Sequence, residues 1–344
     1  MRLLLLLGLA VALAACTEPS GSSSRPEKVG VTALEFVDAG RNRPLAVQLW
    51  YPAVAGAVEA PQAYEHAFRG RAAPDAPYRE AGRRPLVVLS HGDRGGNSNQ
   101  AWLGEALAGH GYIVASVAHW LNTRTHNTPE ATLRAWERPL DASFVIGSLL
   151  QDPTWQTRID PTRIGAAGHS SGGYTALALA GARYALLQMR EYCLGPQAGP
   201  DCALARGANL AQVDFRGSAE SYRDARVRAV VALAPALGPG MITESLRSIT
   251  VPVLIVAARD DEILPFDLHA ARDARDIPGA VLETLPAGGH FVFMPECTVT
   301  GWVFTWFNAF DICGRRHDVD RGAVHDQVIR RALQFFQASL EPSR

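Results

Sequence analysis

The sequence predicts an α/β fold, with a mostly parallel central sheet covered by helices on both faces. Short apolar runs at 85–89, 112–117, 164–167, 227–233, 251–258 and 280–285 recur along the chain. Segments with helical spacing lie between the first four of these runs, at 99–110, 130–150 and 174–182. Such alternation implies crossover connections and hence parallel pairing, since parallel neighbours cannot be joined by a tight turn. The runs are continuously apolar, which is the pattern of strands buried on both faces. With 344 residues and 47% hydrophobic content, the chain holds enough apolar material for one large core.

Before that core comes a leader. Arg2 supplies a charged start, residues 3–13 an apolar stretch, and Ala14-Ala15 the small residues of a processing site, so residues 1–16 read as an export signal. The stretch is too short to span a bilayer comfortably. Leu13-Ala14-Ala15-Cys16 resembles the bacterial lipobox, in which the cysteine is lipidated and becomes the new N-terminus. Residues 17–27, rich in Ser, Gly and Pro, then form a flexible tether, and residues 28–344 a single domain. Thr17, rather than an aspartate, follows Cys16, which points to an exported lipoprotein at the outer membrane or facing the periplasm; simple secretion is the alternative.

Export gives the remaining cysteines a different meaning, because disulfides persist outside the cytoplasm. Cys193 pairing with Cys202, and Cys297 with Cys313, is the simplest connectivity. No Cys-x-x-Cys or matching histidine pair suggests zinc, and no cofactor or metal is expected. A formal net charge of -1 without an extended basic run excludes a nucleic-acid partner.

Residues 29–37 and 45–51 alternate apolar and polar side chains and read as an antiparallel pair at the sheet edge, joined by a turn at 38–43. Residues 54–84, with many Ala, Gly and Pro, read as a long surface loop whose Tyr64, Phe68 and Tyr78 either touch a ligand or pin the loop down. The run at 85–89 enters Ser90-His91-Gly92-Asp93-Arg94-Gly95-Gly96, a turn that His91 is expected to fix. His119, Trp120 and Asn122 follow the 112–117 strand, where ligand sites form in such sheets, or else they pack the loop. Residues 130–150 carry apolar side chains at 133, 136, 140, 144 and 149 and read as one helix. The segment 186–225 breaks the alternation, and a terminal helix ends at Leu340, in which His325 has a capping or packing role.

The stretch that organises the chain is Arg-Ile-Gly-Ala-Ala-Gly-His-Ser-Ser-Gly-Gly at 163–173. Gly168-His169-Ser170-Ser171-Gly172 fits Gly-x-Ser-x-Gly between a buried strand and an alanine-rich helix, the setting of a nucleophile elbow with Ser170 at its tip. Glycines suit that turn because strand and helix approach too closely for a Cβ. Past the 251–258 strand stand Asp260, Asp261 and Glu262, whose side chains diverge too much to share a metal; one of them is the expected acid partner. His290, after the last strand and among small residues, is the expected base.

Taken together, Arg-Pro-Leu-Ala-Val-Gln-Leu-Trp-Tyr-Pro-Ala at 43–53, Leu-Ser-His-Gly at 89–92, Gly-Tyr-Ile-Val-Ala at 111–115, Arg-Pro-Leu-Asp-Ala-Ser-Phe at 138–144, Gly-His-Ser-Ser-Gly-Gly at 168–173, Arg-Val-Arg-Ala-Val-Val-Ala-Leu-Ala-Pro at 226–235 and Gly-His-Phe-Val-Phe at 289–293 carry a resemblance. The chain resembles an α/β-hydrolase, of the bacterial group similar to dienelactone hydrolases and to platelet-activating factor acetylhydrolase. The resemblance implies Ser170 as nucleophile, Asp261 as the acid, by its Asp-x-x-x-Pro spacing, and His290 as base, in the chain order of that family. It further implies an oxyanion hole from the main-chain N–H groups of Asp93 and Ser171, with the Asp93 side chain turned away, and a cap over the nucleophile at 186–225. Dienelactone hydrolases proper carry a cysteine where Ser170 stands, and they lack the cap and both cysteine pairs.

The implied activity is hydrolysis of lipophilic or small acyl esters through an acyl-enzyme, favoured also by the aromatic segment 302–310. An acyltransferase or a peptidase can use the same triad, and a non-catalytic binding lipoprotein would lack one of its members.

Overall fold

The computed structural model describes residues 27–306, 312–314 and 319–340. Cys16, the leader and all but the last residue of the tether therefore lie outside the described residues, as do Phe307 to Asp311 of the aromatic segment and its flank. In chain order the elements are β1 (Lys28–Asp38), β2 (Arg43–Ala53), β3 (Ala60–Tyr64), β4 (Phe68–Pro74), β5 (Arg84–Ser90), α1 (Ala101–Gly109), β6 (Ile113–Val117), α2 (Pro129–Leu133), α3 (Glu137–Gln151), β7 (Ile159–His169) and α4 (Ser171–Ala180). They continue with α5 (Leu186–Leu194), β8 (Val227–Leu233), α6 (Thr243–Arg247), β9 (Val253–Ala258), α7 (Ala270–Asp276), β10 (Val281–Leu285), α8 (Val299–Trp306) and α9 (Arg321–Leu340).

The strands form one mixed sheet in the order β10-β9-β8-β7-β5-β6-β2-β1-β4-β3. From β10 to β6 every neighbour is parallel, as the alternation of strand and helix requires. Side chains of β5 alternate between faces: Leu86 and Val88 join a core with α3 and α4, while Val87 and Leu89 join a second core with α1 and α9. Both faces are therefore dry, which explains the unbroken apolar runs.

Three expectations need correction. β1 and β2 are antiparallel over their whole lengths, but they are not the edge, because β6 pairs with β2 and β4 with β1. The supposed surface loop contains the β3–β4 hairpin that forms the true edge. Its sequence, rich in Ala, Gly and Pro, has little strand propensity. Tertiary contacts hold it instead: Tyr64, Phe68 and Ala72 are buried, and the Glu105 carboxylate accepts the Arg71 N–H at 2.9 and 3.0 Å. The single helix expected at 130–150 is two helices. Thr128 caps α2, whereas Pro139, which has no N–H to donate, falls in the first turn of α3 and sets where that helix begins.

Segment 186–225 consists of α5 and three short 3-10 turns, closed by a Cys193–Cys202 disulfide with Cα atoms 5.5 Å apart. A second disulfide, Cys297–Cys313 with Cα atoms 5.8 Å apart, ties down the stretch containing α8.

One core group works against stability. Asp273 on α7 is fully buried, with Arg272 Nη1 at 3.3 Å from Oδ1 and no hydrogen-bond partner for Oδ2 among the described residues. Burial pushes its carboxyl up to about 8, against the pull of Arg272. The protonated folded form is at full advantage below the ordinary carboxylate pKa, and that advantage is lost as pH rises through the folded value, at about 1.4 kcal/mol per pH unit. Asp273→Asn is therefore expected to raise the thermal midpoint at pH near 8 and to leave it nearly unchanged at pH near 4, which thermal unfolding at both values checks.

Candidate active site

Ser170 stands between β7 and α4 with φ 58° and ψ -121°, a left-handed conformation forced on a non-glycine residue. Its N–H donates to Leu233 O at 2.9 Å and its carbonyl accepts from Ala236 N at 3.0 Å, so the adjoining β8 end holds the turn from both sides. A Cβ on Gly172 would run into the Ser90 carbonyl oxygen, and one on Gly168 into that of Gly172. Both glycines are needed for α4 to begin this close to β5.

His290 sits in a loop gripped by all three consecutive acids. Its Nδ1 lies 2.8 Å from Asp261 Oδ2, and Asp261 Oδ1 accepts from the N–H groups of Ile263 at 2.9 Å and Leu264 at 2.7 Å. Burial would raise the Asp261 carboxyl, but His290 and these N–H groups outweigh it and hold the group below its usual range. Asp260 and Glu262 are exposed, yet both also bond to the histidine loop. Asp260 accepts the N–H groups of Gly288 at 3.2 Å and Gly289 at 3.0 Å, and Glu262 accepts the N–H of His290 at 2.9 Å. The divergence of the three side chains lets each acid take a different part of the histidine loop.

His169, the variable residue inside the elbow motif, completes the grip. Its Nε2 lies 3.0 Å from the His290 carbonyl oxygen, as a donor. Burial and then the nearby His290 push its pKa down to about 3, so it is neutral and available for this bond. Motif reading treats this position as arbitrary, and only the fold brings its partner 121 residues away into reach.

The Asp93 and Ser171 main-chain N–H groups have no protein acceptor among the described residues. The Asp93 side chain points away from the cleft as expected, with Oδ1 accepting from Asn122 Nδ2 at 2.7 Å and Thr132 Oγ1 at 2.8 Å. Behind these groups lies a buried network that sequence reading missed. The Arg138 guanidinium donates to His91 O, Asn122 Oδ1, Ser90 Oγ and Thr175 Oγ1, and Thr175 in turn donates to Ser171 O at 2.9 Å. One cation thus braces both the turn after β5 and the first turn of α4. Burial lowers its pKa only to about 10, so it stays charged at neutral pH. Beside it, His119 Nδ1 lies 3.0 Å from Asp141, which Arg43 holds by two 2.7 Å bonds, and His119 Nε2 lies 2.8 Å from Ser90 Oγ. Burial and then Arg138 drive His91 and His119 well below the usual imidazole range, so both are neutral.

Arg138→Met would leave at least two buried acceptors unpaired, at a cost of roughly 2–5 kcal/mol. The expected readout is a lower urea midpoint at unchanged slope.

His119 and Asn122 therefore brace the site from behind and do not line it, and His91 fixes its turn as expected. Of the three aromatics read as either touching a ligand or pinning the loop, Phe68 lines the cleft, while Tyr64 and Tyr78 pack in the core. His325 stacks on Trp102 with ring centroids 4.0 Å apart.

Two cavities meet at the elbow. One, of about 330 Å³, is lined by Ser170, His290, Phe291, Gly92 and Asp93 and opens past Arg124 and Asn127. The other, of about 440 Å³, lies under the 186–225 segment and reaches Ser171. Their placement at the carboxyl ends of parallel strands is where open α/β sheets bind ligands.

Residues 86–297, from β5 to the second disulfide, match the alpha/beta hydrolase family. Cutinase est2 of Thermobifida alba is 29% identical over 237 residues, covering 67% of this chain and 61% of the cutinase. Cutinase est1 of the same organism is 28% identical over 202 residues, covering 59% of this chain and 51% of the cutinase. The chain thus spans less than two thirds of the length of either. A solved ferulic acid esterase from Streptomyces cinnamoneus shares the fold, with a TM-score of 0.58 and 24% identity over 94% of this chain and 93% of its own. The family match covers more than half of the chain and contains the elbow, the three acids and His290: the protein belongs to the alpha/beta hydrolase family.

Proposed function

We propose that the protein is a serine hydrolase of carboxylic esters, acting through Ser170, His290 and Asp261. The observation that carries this reading is the 2.8 Å bond that Asp261 accepts from His290 Nδ1 beside the same 330 Å³ cleft that the strained Ser170 turn faces. Similarity to two cutinases and the shared fold of a ferulic acid esterase support ester substrates with lipophilic or small acyl groups. In the first step His290 Nε2 takes the proton of Ser170 as Oγ bonds to the ester carbonyl carbon. The carbonyl oxygen becomes an anion held by the N–H groups of Asp93 and Ser171, aided by the positive end of α4. Collapse breaks the bond to the alcohol oxygen, which leaves with the proton from His290. Water, giving its proton to His290, then attacks the acyl-enzyme; the acid is released and Ser170 regains its proton.

Within the family, the motifs quoted above support a place near the dienelactone-hydrolase-like and platelet-activating-factor-acetylhydrolase-like esterases. The leader residues support a lipid on Cys16 and an exported, membrane-tethered protein, in which 17–27 is the tether and 28–344 the catalytic domain. Among the described residues no helix is long and apolar enough to cross a membrane.

The test is steady-state and burst kinetics with p-nitrophenyl esters. Release of p-nitrophenol in a stoichiometric burst followed by turnover is the expected result, and a folded protein that hydrolyses none of them refutes the proposal.

A further inference from the structure

The two cavities are separated by a seam. Ser170 lines the cleft and its neighbour Ser171 lines the cap pocket; Ile263 lines the cleft and Leu264 the cap pocket. Asp93 lines the cleft, while Thr132, bonded to its carboxylate at 2.8 Å, lines the cap pocket. The seam therefore passes through both residues whose N–H groups are proposed to hold the oxyanion. An ester whose carbonyl oxygen sits at that seam must send its two substituents to opposite sides.

Chemistry decides which goes where. The leaving oxygen has to take its proton from His290, and His290 lines the cleft but not the cap pocket. The alcohol therefore lies in the cleft. We infer that the cap pocket is the acyl-binding site and takes an uncharged acyl chain of medium length, aliphatic or aryl-alkyl. This assignment rests on the serine-esterase reading above. The walls suit such a chain: Leu186, Met189, Leu210, Leu237 and Leu264 line it, Arg190 and Arg206 are exposed, and the buried Asp201 carboxylate is already engaged, accepting from Tyr192 Oη at 3.1 Å and lying 3.2 Å from His269 Nε2. A volume of about 440 Å³ falls within the usual range for small-molecule sites. The Cys193–Cys202 disulfide forms part of the wall, so the cross-link holds a binding surface as well as the cap.

The experiment compares p-nitrophenyl acetate with p-nitrophenyl octanoate, two substrates with one alcohol. Leu210→Trp, which fills the cap pocket, is expected to lower the octanoate-to-acetate ratio of kcat/KM by about tenfold or more. Ala208→Phe, on the same wall, should move the ratio in the same direction and guards against one variant failing to fold. Asn127→Trp, which narrows the cleft from its exposed rim, should change both esters in parallel and leave the ratio where it was. The assignment is overturned if Asn127→Trp moves the ratio while the folded cap variants do not, or if no variant moves it. A wild-type chain that turns over neither ester would instead remove the esterase reading, and the acyl pocket with it.

Discussion

Ser170→Ala is expected to lower kcat by about a million-fold while leaving the fold and KM nearly unchanged. The size follows from the part the residue plays in the proposed chemistry. Without Oγ there is no acyl-enzyme, and only the oxyanion donors and substrate binding remain to accelerate attack by water. The fold should survive because the elbow is held by its main chain. The Ser170 N–H and carbonyl bond to Leu233 and Ala236, and the glycines at 168 and 172 keep their close approach to Ser90. Alanine inherits the same strained φ and adds no bulk. Steady-state kinetics with an activated ester, beside a thermal melt, separates loss of the nucleophile from loss of structure.

Asp261→Asn is expected to lower kcat by about ten-thousand-fold. The asparagine oxygen can still accept from the N–H groups of Ile263 and Leu264, so the loop after β9 is kept. Its NH₂, however, faces His290 Nδ1, which must then accept rather than donate, and the imidazole is left with the proton on the nitrogen that should receive it from Ser170. Asp260, Glu262 and His169 continue to hold the main chain of 288–290, so the defect is one of tautomer and charge and not of placement. Stability carries a second signature. The folded-state pKa of Asp261 is lowered, so its contribution is present above the unfolded carboxylate pKa and lost as pH falls through the folded value. The wild-type advantage over the variant should therefore shrink in acid, which denaturation at neutral and acidic pH reads directly.

The sheet was legible because its strands are dry on both faces and announce themselves as apolar runs. The elbow was legible because close packing at 168 and 172 demands glycine. The β3–β4 edge was not, since an Ala-, Gly- and Pro-containing hairpin held by Glu105 and a few buried aromatics has no pattern of its own. At the site, the three acids were visible, and spacing marked Asp261. What the sequence could not convey is that Asp260 and Glu262 also serve the histidine loop, because their partners are main-chain N–H groups, which every residue but proline possesses. The Arg138 network was hidden for a related reason. In sequence Arg138 is one charged residue within the expected 130–150 helix, whereas burial turns it into a brace between two distant turns. The cap could be bounded by its cysteines and by its break in periodicity, but the cavity beneath it depends on residues from five separate stretches of chain.

Whether Ser170 is the nucleophile is read by treating the purified folded chain with a fluorophosphonate probe and mapping the adduct by mass spectrometry. A single adduct on Ser170 that disappears in His290→Ala is the expected result. No adduct, or one on another residue, would contradict it.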